Sequence, residues 1–162
     1  MRSAPPPNHA DTPQQDVSQL ASNPWAATNP IDYITIATPG NSTDFGDLTA
    51  AKQGFPGVGG GTSGRGIWAG GYTSGYVVSI DYVTISTTGN AADFGDLTGV
   101  STNSDVHHIG GAYNATRGVF HYGGSQNTMS YITMATTGNS ADFGDQLTTN
   151  NTYARATSGA AS

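Results

Sequence analysis

Apolar and polar residues alternate in one short pattern that the chain writes three times. In Tyr33-Ile34-Thr35-Ile36-Ala37-Thr38, an extended backbone would put Tyr33, Thr35 and Ala37 on one face and Ile34, Ile36 and Thr38 on the other. With β-branched residues throughout, this predicts a strand over 33–38. Pro39-Gly40-Asn41 ends it, glycine supplying the freedom a tight reversal needs. Asp44-Phe45-Gly46-Asp47-Leu48 then predicts a short second strand, pinned to the layer below by Phe45 and Leu48. The whole pattern returns from Tyr82 and again from Tyr131, in steps of 49 residues, and Phe45, Phe94 and Phe143 keep the same step. Self-similarity at such a period marks a stacked or circular repeat architecture, with four-stranded propeller blades the first to consider.

Between the copies the pattern is looser. Gly66 to Tyr72 and Gly118 to Gly124 each predict a strand ending in a glycine pair, preceded by Arg65 and Arg117. Phe55–Gly61 and Val106–Tyr113 supply one further strand apiece, so each period holds about four short strands. Only two full periods fit between a partial opening unit and the segment TTNNTYARATSGAAS after Leu147, which resembles the opening strand of another unit. Three units are fewer than propellers usually have. The expected fold is therefore all-β, with propeller-type repeats and incomplete ends, or a threefold β-trefoil or β-prism-like body. Unpaired strand edges invite aggregation, so closure or assembly into a homo-oligomer is expected.

Residues 1–30 differ from the repeat domain, 31–162. Pro5-Pro6-Pro7 favours polyproline II, and polar sequence follows up to Trp25. Such a segment is a disordered tail in an isolated chain, or an extended arm that docks on a neighbouring subunit. The arm is the expectation carried forward, with Pro5, Pro6, Pro7 and Trp25 as partner-binding residues.

Composition agrees with strands and turns. Gly accounts for 23 of 162 residues, and charged residues for only 10%. All eleven acids are Asp, whose short side chain bonds nearby turn amides. Net charge is −6, and the five cations, Arg2, Lys52, Arg65, Arg117 and Arg155, are scattered, which argues against nucleic-acid binding. Cysteine is absent, so no disulfide or thiolate chemistry arises. No apolar run reaches membrane-spanning length, so membrane insertion is not expected. The N-terminus lacks the apolar core of a secretory signal.

Candidate chemistry is sparse. The Asp-Phe-Gly triplets at 44–46, 93–95 and 142–144 match a kinase metal-binding triplet, but a kinase uses it once, beside a glycine-rich loop, a strand lysine and a catalytic loop that are missing. Asn41, Asp44 and Asp47 offer oxygen ligands for Ca²⁺, although three side chains per loop fall short of the six to eight oxygens it takes. Asp and Asn bonding their own turns is the plainer account, and no metal or cofactor is expected. Among His107, His108 and His121, a zinc site would need facing strands, and adjacent histidines on a strand point to opposite faces. No nucleophile-elbow pattern occurs and Glu is absent, so an enzyme is not expected. Trp68, Tyr72 and Tyr122 offer a platform for sugar rings.

The residues IDYITIATPGNSTDFGDLT followed by RGIWAGGY, and IDYVTISTTGNAADFGDLT with RGVFHYGG, resemble kelch-like repeats with an RGVF-GG and IDYITIATTGN-DFGDLT pattern. Such repeats occur in virion-associated and tail-fibre-like proteins of bacteriophages, notably cyanophages, and in extracellular bacterial proteins. The resemblance covers about residues 31–149. It implies a β-propeller-type fold and a structural or adhesive role, without catalytic residues. The chain departs from the pattern in having few units, no glycine-pair strand ahead of Tyr33, and Gln146 inserted before Leu147; these departures favour assembly between chains. The function expected is a structural virion protein, located in the virion as a tail, fibre or capsid-surface decoration subunit. Its partners would be other virion proteins, through the N-terminal arm, and host-surface glycan. The alternatives are a glycan-binding module and a secreted, self-assembling filament or matrix protein at the cell surface.

Overall fold

A computed structural model describes residues 28–35, 37–100, 110–122 and 127–147. Ten strands form three antiparallel sheets: β1 (Thr28–Tyr33) with β2 (Thr43–Lys52); β3 (Gly57–Gly60), β4 (Arg65–Ala69), β5 (Ser79–Thr84) and β6 (Ala92–Asp96); β7 (Gly110–Tyr113), β8 (Arg117–His121), β9 (Thr128–Thr133) and β10 (Ala141–Asp145). Each four-stranded sheet is a meander in chain order, and the hairpin matches the last two strands of a meander. We call these units 1, 2 and 3. The protein is all-β as expected, with four strands in each complete period. The described residues form no closed ring.

The repeated strand starts earlier than the alternation predicted. β1, β5 and β9 end at Tyr33, Thr84 and Thr133, and the second half of the motif folds into a turn. Amides of Thr38, Thr87 and Thr136 donate to the carbonyls of Thr35, Thr84 and Thr133, at 3.3, 3.1 and 3.1 Å. A strand over 33–38 is thus corrected to one that finishes near its first residues, because these local bonds capture the backbone.

The Asp-Phe-Gly triplet is the signature of a bulge. Ile80 pairs with Gly95 and Asp81 with Asp93, so Phe94 has no opposite partner; the register shifts likewise around Phe45 and Phe143. An extra residue bends the strand and increases its twist. The bulged phenylalanine meets the motif tyrosine edge to face, with ring centroids 6.0, 5.8 and 6.1 Å apart for Tyr33–Phe45, Tyr82–Phe94 and Tyr131–Phe143. The aspartate bonds the amide beyond the bulge, Asp93 Oδ1 accepting from Gly95 N at 3.2 Å and Asp142 Oδ1 from Gly144 N at 3.1 Å. Gly46, Gly95 and Gly144 hold φ of 148°, 143° and 123°, a region L side chains rarely adopt.

The main core lies between units 2 and 3 and contains Val58, Ile67, Ile80, Phe94, Phe120 and Met134. A second cluster, with Ile31, Phe45, Leu48 and Val83, joins unit 1 to unit 2. Between those units lies a buried ion pair: Lys52 Nζ is 2.8 Å from Asp81 Oδ2, with both side chains shut off from solvent. Asp81 Oδ1 accepts from Thr49 Oγ1 at 2.7 Å, and Lys52 Nζ lies 3.5 Å from Ser79 Oγ. The Asp81 position in unit 3 is Ser130, whose hydroxyl bonds Tyr122 at 2.5 Å instead.

Gln146 is not an insertion ahead of the leucine position. Its amide donates to Asn127 O at 2.5 Å, as Leu97 N donates to Val78 O at 2.8 Å, so Gln146 takes the leucine's backbone place. Its carboxamide donates to Tyr122 O at 2.8 Å, and Leu147 is displaced fully into solvent.

Two stability predictions follow from this packing. Lys52→Met strands a buried carboxylate and should cost about 3–5 kcal/mol in denaturant unfolding, whereas Lys52→Met with Asp81→Leu should recover most of that loss. Gly95→Ala and Gly144→Ala share the strained φ, but a Cβ at Gly95 would lie 2.5 Å from Gly138 O while one at Gly144 meets nothing within 4 Å. Gly95→Ala should therefore be the more destabilising by about 1–3 kcal/mol.

Candidate functional site

The units are joined by a strand edge and a loop. In the first joint, Phe45 O accepts from Gly89 N at 2.8 Å and Asp47 O from Ala91 N at 2.7 Å. Asp47 N donates in return to Asn90 Oδ1 at 3.1 Å. The second joint repeats each bond one period later. Phe94 O accepts from Gly138 N at 2.7 Å, Asp96 O from Ser140 N at 2.9 Å, and Asp96 N donates to Asn139 Oδ1 at 3.0 Å. The edge is the bulged Phe-Gly-Asp, and the loop is the Gly-Asn that ends the preceding turn. A side chain at Gly46 or Gly95 would strike the backbone of the incoming loop, so glycine is needed there for the approach as well as for φ.

Inside the second joint, Val58 of β3 packs where Gly111 and Gly118 leave room, and a Cβ on either glycine would run into it. Arg65 lies over the Tyr82 ring, 4.5 Å from its centroid, and donates from a terminal guanidinium nitrogen to Met134 O at 3.0 Å in the next unit. Thr98 reinforces the contact, its amide donating to Ser140 Oγ at 2.8 Å and its hydroxyl to Ser140 O at 2.5 Å.

Burial follows position in the array. The repeated phenylalanines are 8%, 2% and 48% exposed at Phe45, Phe94 and Phe143. Ile34 is 62% exposed, while its counterparts Val83 and Ile132 are buried. Among the described residues, the exposed large apolar side chains are Tyr33, Ile34, Ile85, Tyr113, Phe143 and Leu147. Tyr33 and Ile34 belong to unit 1 and Tyr113, Phe143 and Leu147 to unit 3, while Ile85 sits in the turn of unit 2. In unit 3, Arg117 stacks over Tyr131 at 4.8 Å as Arg65 does over Tyr82, and a cavity of about 310 Å³ opens beside it. The groups gathered along edge and loop are backbone amides, carbonyls, a carboxamide and apolar rings. This is the chemistry of strand-edge recognition.

The residues singled out from sequence separate on the structure. Pro5, Pro6, Pro7 and Trp25 lie outside the described residues, as do His107 and His108. The sugar platform is not one surface. Tyr122 is wholly buried with its hydroxyl bonded to Ser130, which corrects its assignment as a ligand-facing ring. Trp68 is half-buried against the unit 1–unit 2 core, and Tyr72 stands edge to face with Tyr76 at 5.3 Å. Of the calcium candidates, Asp47 has its amide engaged in the first joint, while Asn41 and Asp44 are exposed. Among the described residues no cluster of three His, Asp or Glu side chains is placed to hold a metal. Asn90 and Asn139 bond the neighbouring unit rather than their own turns, contrary to the turn-local expectation. Sequence reading missed the interlocking of Arg65, Val58 and the Lys52–Asp81 pair. The recurrence of an arginine ahead of each glycine-pair strand was the available clue.

Compared with known proteins, the chain matches no protein-family model and no curated protein. No helix among the described residues is long and apolar enough to cross a membrane.

Two groups shift their proton affinity through burial. Burial pushes the Tyr122 phenol up to about 12, with the hydroxyls of Ser130 and Ser140 acting in the opposite direction. Burial lowers the His121 imidazole below its ordinary 6.5. A folded-state histidine with depressed pKa binds fewer protons than the unfolded one, so its contribution is present above pH 6.5 and lost as pH falls below it. The thermal midpoint should decline from pH 7 to pH 5, and His121→Gln should flatten that decline.

Proposed function

We propose that the chain is a structural subunit of a bacteriophage virion, in a tail, fibre or capsid-surface position, built of kelch-like, propeller-type units and working by assembly. One observation carries this reading: five of the six exposed large apolar residues, Ile85 excepted, lie in the two outer units, which also hold a strand edge and a loop whose copies are engaged inside the array. Monomeric proteins seldom leave such surfaces open without a partner for them. The two four-stranded meanders, and the passing of an outer edge to the next unit's loop at both internal joints, support the propeller-type description over a trefoil or prism. Low charge and abundant Thr, Ser and Asn suit a particle component stabilised by sheet packing and backbone hydrogen bonds. Since β1 already begins at Thr28, the arm that reaches neighbouring proteins in the virion is shorter than the 1–30 expected from sequence and comprises residues 1–27, and the repeat body presents its loops outward to the host.

The test is incorporation. Full-length chain and chain lacking residues 1–27 are supplied together during particle production, and purified particles are assayed by mass spectrometry. Full-length chain should be found in particles and the truncated chain depleted at least ~10-fold, while the truncated protein alone still melts cooperatively. Absence of the full-length chain from particles overturns the virion reading, and equal incorporation of both overturns the role of the arm.

A further inference from the structure

We propose that the chain associates head to tail with a second copy of itself, the edge Phe143–Asp145 of one copy receiving the loop Pro39–Ser42 of the next. This deepens the assembly reading above and rests on it only for its setting, since the joint is argued from the chain's own geometry.

The edge is a third copy of one used twice. Phe143, Gly144 and Asp145 stand one period beyond Phe94, Gly95 and Asp96, and share the same bulge. At Gly46 and Gly95 an added Cβ would hit the loop of the following unit, while at Gly144 it would meet open space. The place of a loop is therefore vacant at Gly144 among the described residues. The carbonyls of Phe143 and Asp145 take the positions of the acceptors in both internal joints, and the Asp145 amide that of the donor to asparagine.

The loop is likewise a copy whose counterparts are used. Asn41 holds the place of Asn90 and Asn139, and Gly40 and Ser42 the places of the donors Gly89 and Ala91, or Gly138 and Ser140. Pro39 replaces Thr88 and Thr137, whose amides are not among the joint's donors, so its missing N–H removes no bond. Asn41 is exposed.

The surroundings correspond too. Val58 pairs with Ile67 in unit 2, and Ala112 with Val119 in unit 3. By that register the cavity at the unit 3 end, lined by Ala112, Tyr113, Asn114, Arg117, Val119 and Phe143, repeats the face Val58, Gly59, Gly60, Arg65, Ile67 and Phe94. That face is covered in the second joint by unit 3, with Ile132 beside Phe94. Ile34 holds the Ile132 position in unit 1 and is exposed, so a docking copy brings its own apolar residue to the cavity. Such an interface is heterologous: two different patches meet, and each copy keeps one of each for further growth.

Sedimentation velocity of the full 162-residue chain over a wide concentration range tests this. The expected result is a mass that climbs through dimer and trimer with concentration. A tail variant, Phe143→Asp with Leu147→Asp, and a head variant, Ile34→Asp with Asn41→Ala, change residues at the surface, so both should keep the wild-type circular dichroism, the tail variant melting somewhat lower for the lost Tyr131–Phe143 ring contact. Each alone should associate roughly 100-fold more weakly than wild type. Mixed in equal amounts they should form a dimer and stop, because one copy still has an intact head and the other an intact tail. Gly144→Ala should also block association, by placing a methyl group where the loop arrives.

A wild-type chain that stays monomeric at all concentrations overturns the proposal, as does association that survives both variants, or a mixture that gives no dimer. Slow hydrogen exchange at the Asp145 amide in a monomer would assign the edge to the chain's own remaining residues or to no second copy, and also overturns it. Incorporation into particles is read separately: a monomeric chain found in virions removes only this joint, and a self-associating chain absent from virions removes only the virion reading.

Discussion

A bulged edge strand offers amides and carbonyls that only another backbone can fill with good geometry, and the structure is arranged around that constraint. The Phe-Gly-Asp edge turns its bonding groups away from its own sheet because the bulge twists it outward. The following unit answers with two amides and an asparagine carboxamide. Each bond contributes about 1 kcal/mol net, but leaving the groups buried without partners would cost more than making them gains. The bonds thus fix how units meet, while the apolar contacts around Phe94, Met134 and Val58 supply most of the attraction.

The same constraint explains why one short sequence recurs with so little variation. Asp accepts the amide beyond the bulge, Phe fills the space beneath it, Gly tolerates the φ and admits the neighbour's loop, and the second Asp bonds across the joint. Each residue answers a different requirement of one small piece of backbone. A triplet shared with an enzyme's metal site is here a packing device. Phe143 is half-exposed where Phe45 and Phe94 are buried, and among the described residues no loop lies against its edge.

Much of the fold was legible from sequence because identical side chains at a fixed step announce a repeated unit. The four-strand content, the anchoring by Phe45 and Leu48, and the strands after Arg65 and Arg117 could all be read from alternation and glycine pairs. The early end of the motif strand could not, since Thr84 and Thr133 end their strands through backbone bonds that leave no mark on polarity. The joints were hidden for a related reason: Asp47 and Asn90 are 43 residues apart, and only one of their bonding atoms belongs to a side chain. Tyr122 looked available because aromatic residues serve on surfaces and in cores alike, and only packing separates the two. Gln146 was misplaced by matching leucine to leucine, whereas the backbone keeps count by hydrogen bonds.

Beneath the uniform joints lies a layer that is not uniform. An aspartate occupies one position in unit 1, the same residue type meets a lysine in unit 2, and a serine meets a tyrosine in unit 3. Backbone contacts would allow the units to be shuffled; these buried partners do not. Transposing units 2 and 3 would set Lys52 against the Ser130 position and separate the Asp81 carboxylate from its cation. The array therefore has a direction and an order written into its interior, as a lock with differing wards admits only one sequence of cuts.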